Sequence, residues 1–323
     1  MYYYELALLK SPLNNLTFQS EKKIILGKKV LIKLKQRKNL DEAVVIKEVE
    51  KPTFKCSDIV EITNEYFDEK MQQIASFVSQ YYVCSLGEAL SVYIPFDENI
   101  NPIFNEEKFD SKIVLSAQQE KAKEFLKDKK QALLFADTGA GKTEVYIKII
   151  EEHLNANKQA ILLMPEISLT PQMQKRLEKV FGKSIAIWHS KITKKKKEEI
   201  LKGLQEGSIR LIAGARSALF LPYSNLGVIV VDEEHDDSYK SDSKPRFHTK
   251  DLSIYMAKKF DLQLVLGSAT VSSSSFFKIP FFRLDETYHQ TKKYYSFEDS
   301  EANLSLKVID KITKTIDSGN QVI

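Results

Sequence analysis

Eight consecutive residues, Ala136-Asp-Thr-Gly-Ala-Gly-Lys-Thr143, have the types and spacing of a loop that wraps phosphate. Gly139 and Gly141 let successive backbone N–H groups curl around an anion, and a helix opening at Lys142 adds partial positive charge at its N-terminus. Lys142 has the reach for β- and γ-phosphates, and the Thr143 hydroxyl suits Mg²⁺. Thr138, Gly139, Ala140, Gly141, Lys142 and Thr143 are therefore the candidate nucleotide cradle. A glycine-rich turn alone could arise by chance. The apolar run Ala132–Phe135 before it and the amphipathic stretch Lys142–Leu154 after it supply the strand and helix that such a loop requires.

A second box, Asp232-Glu-Glu-His235, follows the apolar run Val228–Val231. Ligands of an open parallel sheet collect at the carboxyl ends of its strands. Asp232 is thus expected to share Mg²⁺ with Thr143, and Glu233 to orient and activate a water. Lys142, Asp232 and Glu233 are the candidate catalytic residues. A third box, Ser268-Ala-Thr270, follows Leu264–Gly267, where its hydroxyls can bond His235 or Asp232 and sense the nucleotide. His235, Ser268 and Thr270 are the candidate coupling residues.

The elements that must hold these boxes come in two styles. After about Lys112, apolar runs (Ala132–Phe135, Ala160–Met164, Ile185–Trp188, Arg210–Ala213, Val228–Val231, Gln263–Leu266) alternate with helices starting near Lys142, Pro171, Lys194 and Thr249. That alternation predicts an α/β fold with a parallel sheet. Before it, residues 1–57 read as a small β-rich unit with strands at Tyr2–Leu9, Lys23–Leu26, Val30–Lys35 and Ala43–Val49. From Ser57 to Phe96 the spacing reads as helical. Ser272–Ser275 reads as a short low-complexity loop. Leu304–Ile316 reads as a helix, and Gln321–Ile323 as the opening of a new strand.

With 323 residues the chain exceeds one ordinary domain, and its 43% hydrophobic content is that of a soluble globular protein. No run of about 18 apolar residues is present, so no membrane partner is expected. The N-terminal residues lack a secretory pattern, and Cys56 and Cys84 are too few for a disulfide framework, which points to the cytoplasm. The net charge of +4 is small, but Lys22–Lys38 holds eight basic and no acidic residues. A strand with Val30, Ile32 and Leu34 on one face places Lys33, Lys35 and Arg37 on the other, where they could meet phosphates. A solvated edge strand is the plainer reading.

The three boxes, in order, resemble superfamily 2 helicases, whose first motif reads Ala-x-x-Gly-x-Gly-Lys-Thr and so accounts for Ala136. Further segments narrow the match: Pro165–Gln172, Trp188-His-Ser190, Gly214–Phe220, Asn225–Asp236, Ser238-Tyr-Lys240, Lys244–His248 and Ser85–Leu90. They are similar to the PriA family of primosomal replication-restart helicases, densely from about 112 to 275 and more thinly before. The resemblance implies a RecA-like P-loop lobe at 109–285, preceded by a β-rich 3′-end DNA-binding domain at 1–57 and a winged-helix domain with linker at 58–108. It makes 286–323 a connector and the start of a second lobe.

By position it also implies roles. Gln119 matches an adenine-reading glutamine, and Pro165–Gln172 and Gly214–Ser217, with Arg216, match contacts to single-stranded DNA. The loop His235–His248, with Tyr239, Lys240 and Phe247, matches an aromatic-rich loop coupling DNA binding to hydrolysis. The family's Phe-Asp-Tyr at the 3′-end pocket is here Phe18-Gln19-Ser20. The implied activity is ATP-dependent 3′-to-5′ unwinding at replication forks by a monomer, with ATP and Mg²⁺ as cofactors. The implied partners are branched or single-stranded DNA, primosome proteins and single-strand-binding proteins. Zinc and an arginine finger are expected only in a second lobe beyond Ile323. Other superfamily 2 translocases or RNA helicases, and a non-motor ATP-sensitive DNA-binding fragment, are the competing expectations.

Overall fold

Alternating apolar and polar residues build the front sheet in the computed structural model, which describes residues 1–13, 16–35, 37–103, 107–285, 305–319 and 322. Its strands are β1 (Tyr2–Leu8), β2 (Leu16–Ser20), β3 (Lys28–Ile32), β4 (Asp41–Val49) and β5 (Ser57–Tyr66). They run in the order β2-β1-β4-β3-β5, and a parallel contact at Phe18–Ser57 brings β2 back onto β5, closing a small barrel. Tyr4, Leu6, Leu8, Phe18, Val30, Ile32, Ala43 and Val45 fill it.

Two expectations for this region change. Lys23–Leu26 is a connection, because Gly27 turns there at φ +85° and Ile25 is 82% exposed. The second strand is Leu16–Ser20 instead. Ser57–Tyr66 is a strand where helical spacing was read. Its Ile59, Val60, Ile62 and Thr63 are β-branched and favour the extended form. Residue 57 therefore opens a strand of the first sheet. The helix starts only at α1 (Glu69–Tyr81), where the Asp68 side chain accepts from the Met71 amide. α2 (Leu86–Leu90) begins with a capping box of Ser85 and Glu88. The two-residue β6 (Phe96–Asp97) pairs with the end of β5.

The second sheet follows α3 (Ala117–Asp128). Its strands are β7 (Gln131–Ala136), β8 (Gln159–Leu163), β9 (Ile185–Trp188), β10 (Leu211–Gly214), β11 (Leu226–Val231), β12 (Gln263–Ser268) and β13 (Phe281–Leu284). All pair in parallel, in the order β13-β7-β12-β11-β8-β10-β9. The helices between them are α4 (Lys142–Asn155), α5 (Pro171–Phe181), α6 (Lys194–Glu206), α7 (Thr249–Phe260) and α8 (Ser273–Lys278). This is the expected α/β lobe. The edge strand β13 had no counterpart in the sequence reading, and Ser272–Ser275 is the capped start of α8.

One hydrophobic cluster joins α1 and α2 to the lobe: Met71, Ile74, Leu90 and Tyr93 share it with Leu219, Phe220, Phe247 and Met256. Residues from 289 onward form a separate unit, described here by α9 (Leu306–Asp317). Of the expected connector and second-lobe start at 286–323, residues 286–304, 320, 321 and 323 lie outside the described residues. Among the described residues no helix is long and apolar enough to cross a membrane.

Candidate active site

β7, β12 and β11 lie side by side, and their registers put Ser268 opposite Phe135 and Val231 opposite Leu266. The phosphate loop, the Ser268 box and the acidic box therefore emerge at one end of three adjacent strands, as the parallel-sheet rule requires. Strand order brings together segments about a hundred residues apart.

In the loop, Gly139 and Gly141 take φ of +81° and +85°, a region that side chains disfavour. Thr138 and Gly139 are exposed at its crown and Ala140 is buried beneath. Gln119 is 1% exposed and sits under the loop. Its Nε2 donates to the carbonyls of Ala140 (3.5 Å) and Gly141 (3.3 Å), and its Oε1 accepts from the Ser116 amide. Gln119 is the residue that matches an adenine-reading glutamine, and in this structure its amide braces the loop and caps α3. Lys142 opens α4, donating to the Ala136 carbonyl at 3.2 Å with its ammonium 3.3 Å from Glu233 Oε1. Thr143 is half-buried on the same first turn.

Asp232 directly follows β11 and is buried. Burial, reinforced by the Glu233 charge, lifts its carboxyl to about 6. Tyr146 donates to its Oδ1 at 3.0 Å and Tyr239 to its backbone carbonyl at 2.6 Å. Glu233 stands at φ +47°. Its Oε2 is 3.5 Å from Ser268 Oγ, which in turn lies 2.7 Å from His235 Nδ1. Thr270 Oγ1 is 2.9 Å from His235 Nε2. The coupling trio thus forms a continuous chain of contacts that ends on Glu233.

The next acidic residue, Glu234, has a different surrounding. It is fully buried and meets Lys250 Nζ (2.8 Å), the Ser272 amide (2.7 Å) and Ser275 Oγ (2.9 Å). Against the burial that raises it, these donors hold its carboxyl below the usual range. It ties the acidic box to α7 and α8. Sequence reading missed Tyr146, Lys250 and this role of Glu234. Only the helical spacing of Tyr146, four residues past Lys142, hinted that its side chain returns to the loop's end.

The candidate DNA contacts divide. Arg216 is half-buried, and its Nη1 donates to the carbonyls of Ser238 (3.1 Å) and Lys240 (2.6 Å). Lys240 is exposed, with its Nζ on the Arg246 carbonyl. Tyr239 and Phe247 are 1% and 5% exposed, and Phe247 packs edge-on against Phe220 with ring centres 4.8 Å apart. Both rings are drawn into the core here, which an aromatic in a tight loop gains by leaving water. Lys33, Lys35 and Arg37 are exposed, but β3 ends at Ile32, so they occupy the following loop and not a strand face. β3 lies between β4 and β5 and is not an edge. Ion pairs also occupy part of the basic run: Lys28 with Glu98, Lys29 with Glu42 and Glu65, and Arg37 with Asp41.

A DEAD/DEAH box helicase family model matches residues 116–278, and a model of the 3′ DNA-binding domain (3′BD) of PriA matches residues 10–95. Replication restart protein PriA of Helicobacter pylori strain J99 is 40% identical over 334 residues, covering 100% of this chain and 52% of the relative. The Rickettsia felis protein of that name is 37% identical over 212 residues, 64% of this chain and 33% of its own. The chain spans about half the length of the Helicobacter relatives it matches. Among solved structures, RecG bound to a three-way DNA junction aligns with 56% of this chain and 25% of its own at a TM-score of 0.41 and 20% identity. The chain belongs to the DEAD/DEAH box helicase family, and its similarity within that family is to replication restart protein PriA.

Proposed function

We propose that this chain is the nucleotide-binding and DNA-binding part of a replication-restart helicase that moves 3′ to 5′ along DNA. The observation that carries the reading is the meeting of Lys142 and Glu233, 3.3 Å apart, at the aligned ends of β7, β12 and β11. The cradle fits a triphosphate. Among the described residues nothing lies within 4 Å of where a side chain on Gly139 would begin, so the loop's outer face is open, and the Lys142 ammonium meets a carboxylate and a carbonyl. Thr143 and Asp232 would hold Mg²⁺, which needs few protein ligands because phosphates and waters complete its shell. ATP supplies the phosphoanhydride whose cleavage drives movement, with Mg²⁺ neutralising charge on the phosphates.

In this reading Lys142 exchanges Glu233 for phosphate oxygens, which frees Glu233 to take a proton from water. The chain from Glu233 through Ser268 to His235 and Thr270 then reports the nucleotide's state to the loop around Tyr239. Exposed Lys33, Lys35 and Lys240, with Arg216, would meet DNA phosphates. Branched or single-stranded DNA, primosome proteins and single-strand-binding proteins are the proposed partners, the protein working as a cytoplasmic monomer. The chain is proposed to bind Mg·ATP and DNA and to couple the two through this site. A DNA-stimulated ATPase assay and a nucleotide-binding titration test this. Lys142→Ala should abolish nucleotide binding and leave fork DNA binding intact. Loss of both together would sink the division of labour.

A further inference from the structure

Two phenols from separate elements hold Asp232. Tyr146, on the second turn of α4, bonds the carboxylate, and Tyr239, in the loop after the acidic box, bonds the backbone carbonyl. Both rings are 1% exposed. The room for the Tyr146 hydroxyl comes from a third element. A Cβ on Gly267, the residue before Ser268 on β12, would stand 1.5 Å from Tyr146 Oη. Phenol and glycine therefore fill one space between them, beside the carboxylate and at the ends of the two strands that flank it.

An aspartate's terminal torsion is soft, so a buried carboxylate keeps one orientation only when something bonds it. A phenol donating to a charged oxygen is among the stronger bonds available. We infer that Tyr146 is a positioning residue for the hydrolysis site: it commits Oδ1 of Asp232 and leaves Oδ2 as the oxygen presented to Mg²⁺, with Gly267 as the space that admits the hydroxyl. The inference rests on the reading of Asp232 as a Mg²⁺ ligand.

Tyr146→Phe keeps the ring and removes only the hydroxyl. The test titrates methylanthraniloyl-ATP onto the whole chain in Mg²⁺ and in EDTA, and reads the affinity gained from the metal. In Tyr146→Phe that gain should fall about tenfold while affinity in EDTA stays within about twofold of the parent. Gly267→Ala, which displaces the hydroxyl from the other side, should lower the gain at least as far. An unchanged gain in Tyr146→Phe overturns the inference. So does an equal loss with and without Mg²⁺, which marks general damage to the pocket. A parent chain that binds no analogue in either condition overturns the nucleotide reading itself, and the inference falls with it.

Discussion

Adjacent carboxylates of the acidic box do different work because their neighbours differ. Asp232 and Glu233 face the phosphate loop, whereas Glu234 is sealed against Lys250. A buried ion pair that loses one partner leaves an uncompensated charge, which typically costs about 3–5 kcal/mol. Lys250→Met should therefore lower the free energy of unfolding by about 3 kcal/mol in a guanidinium titration. A loss below about 1 kcal/mol would mean that Ser272 and Ser275 alone suffice for Glu234. A second, half-buried titratable group lies beside the start of β12. His153, whose Nε2 is 2.6 Å from Gln263 Oε1, is held below its ordinary value by burial, with the Lys158 charge adding to it and the Gln263 contact opposing. The unfolded chain then binds the proton more readily. Stability is full above about pH 6.5 and is lost as the pH falls through that value towards the folded-state one. His153→Asn should flatten the fall in melting temperature between about pH 7 and 5.5, and an unaltered slope would assign the acid sensitivity elsewhere.

At the scale of elements, the loop from Asp236 to His248 is pinned from three sides. Arg216 clasps the carbonyls on either side of Tyr239, Tyr239 reaches back to Asp232, and Phe247 packs on Phe220. Among the described residues no partner meets the remaining guanidinium nitrogens of Arg216, which leaves an edge for a phosphate. Arg216→Ala should raise amide exchange over residues 238–248 by about tenfold and weaken single-stranded DNA binding several-fold. Faster exchange with unchanged DNA affinity would reduce Arg216 to a loop clasp. The phosphate loop has a comparable dependence on its underside. A Cβ on Gly141 would fall 2.1 Å from Gln119 Nε2, at a backbone angle that side chains avoid, so the loop and α3 are fitted to each other.

On the scale of the whole molecule, the front sheet and its helices are not loosely tethered to the lobe. The Ile94 amide donates to the Phe220 carbonyl (3.0 Å), the His248 amide to Tyr82 Oη (3.1 Å) and the Asp97 amide to Gln205 Oε1 (2.7 Å). Phe77 stacks on Tyr255 with ring centres 3.8 Å apart. Trp188, the single tryptophan, lies on β9 and reports on the lobe. Unfolding followed by its fluorescence and by circular dichroism should coincide in the parent chain. In Phe77→Ala, which removes about 2 kcal/mol or more of packing, the two curves should separate. Coincident curves in the variant would show that the backbone bonds alone keep the parts together.

The sequence by itself determined the residue types that make up the boxes and the class of the lobe. Both are written in contiguous residues: glycines and a lysine after an apolar run, two carboxylates after another, strands alternating with amphipathic helices. The β-rich character of the first fifty residues was legible for the same reason, although β5 was hidden by apolar spacing that fits a helix or a strand. Only the tertiary structure decided which atoms meet. Tyr146 and Asp232 are 86 residues apart in sequence, and their contact depends on β12 lying between β7 and β11 and on Gly267 lacking a side chain there. The burial of Tyr239 and Phe247, and the turn of Gln119 beneath the loop, likewise follow from packing between distant segments. A local pattern states what a residue can do, and the order of strands in the sheet selects the partner with which it does so.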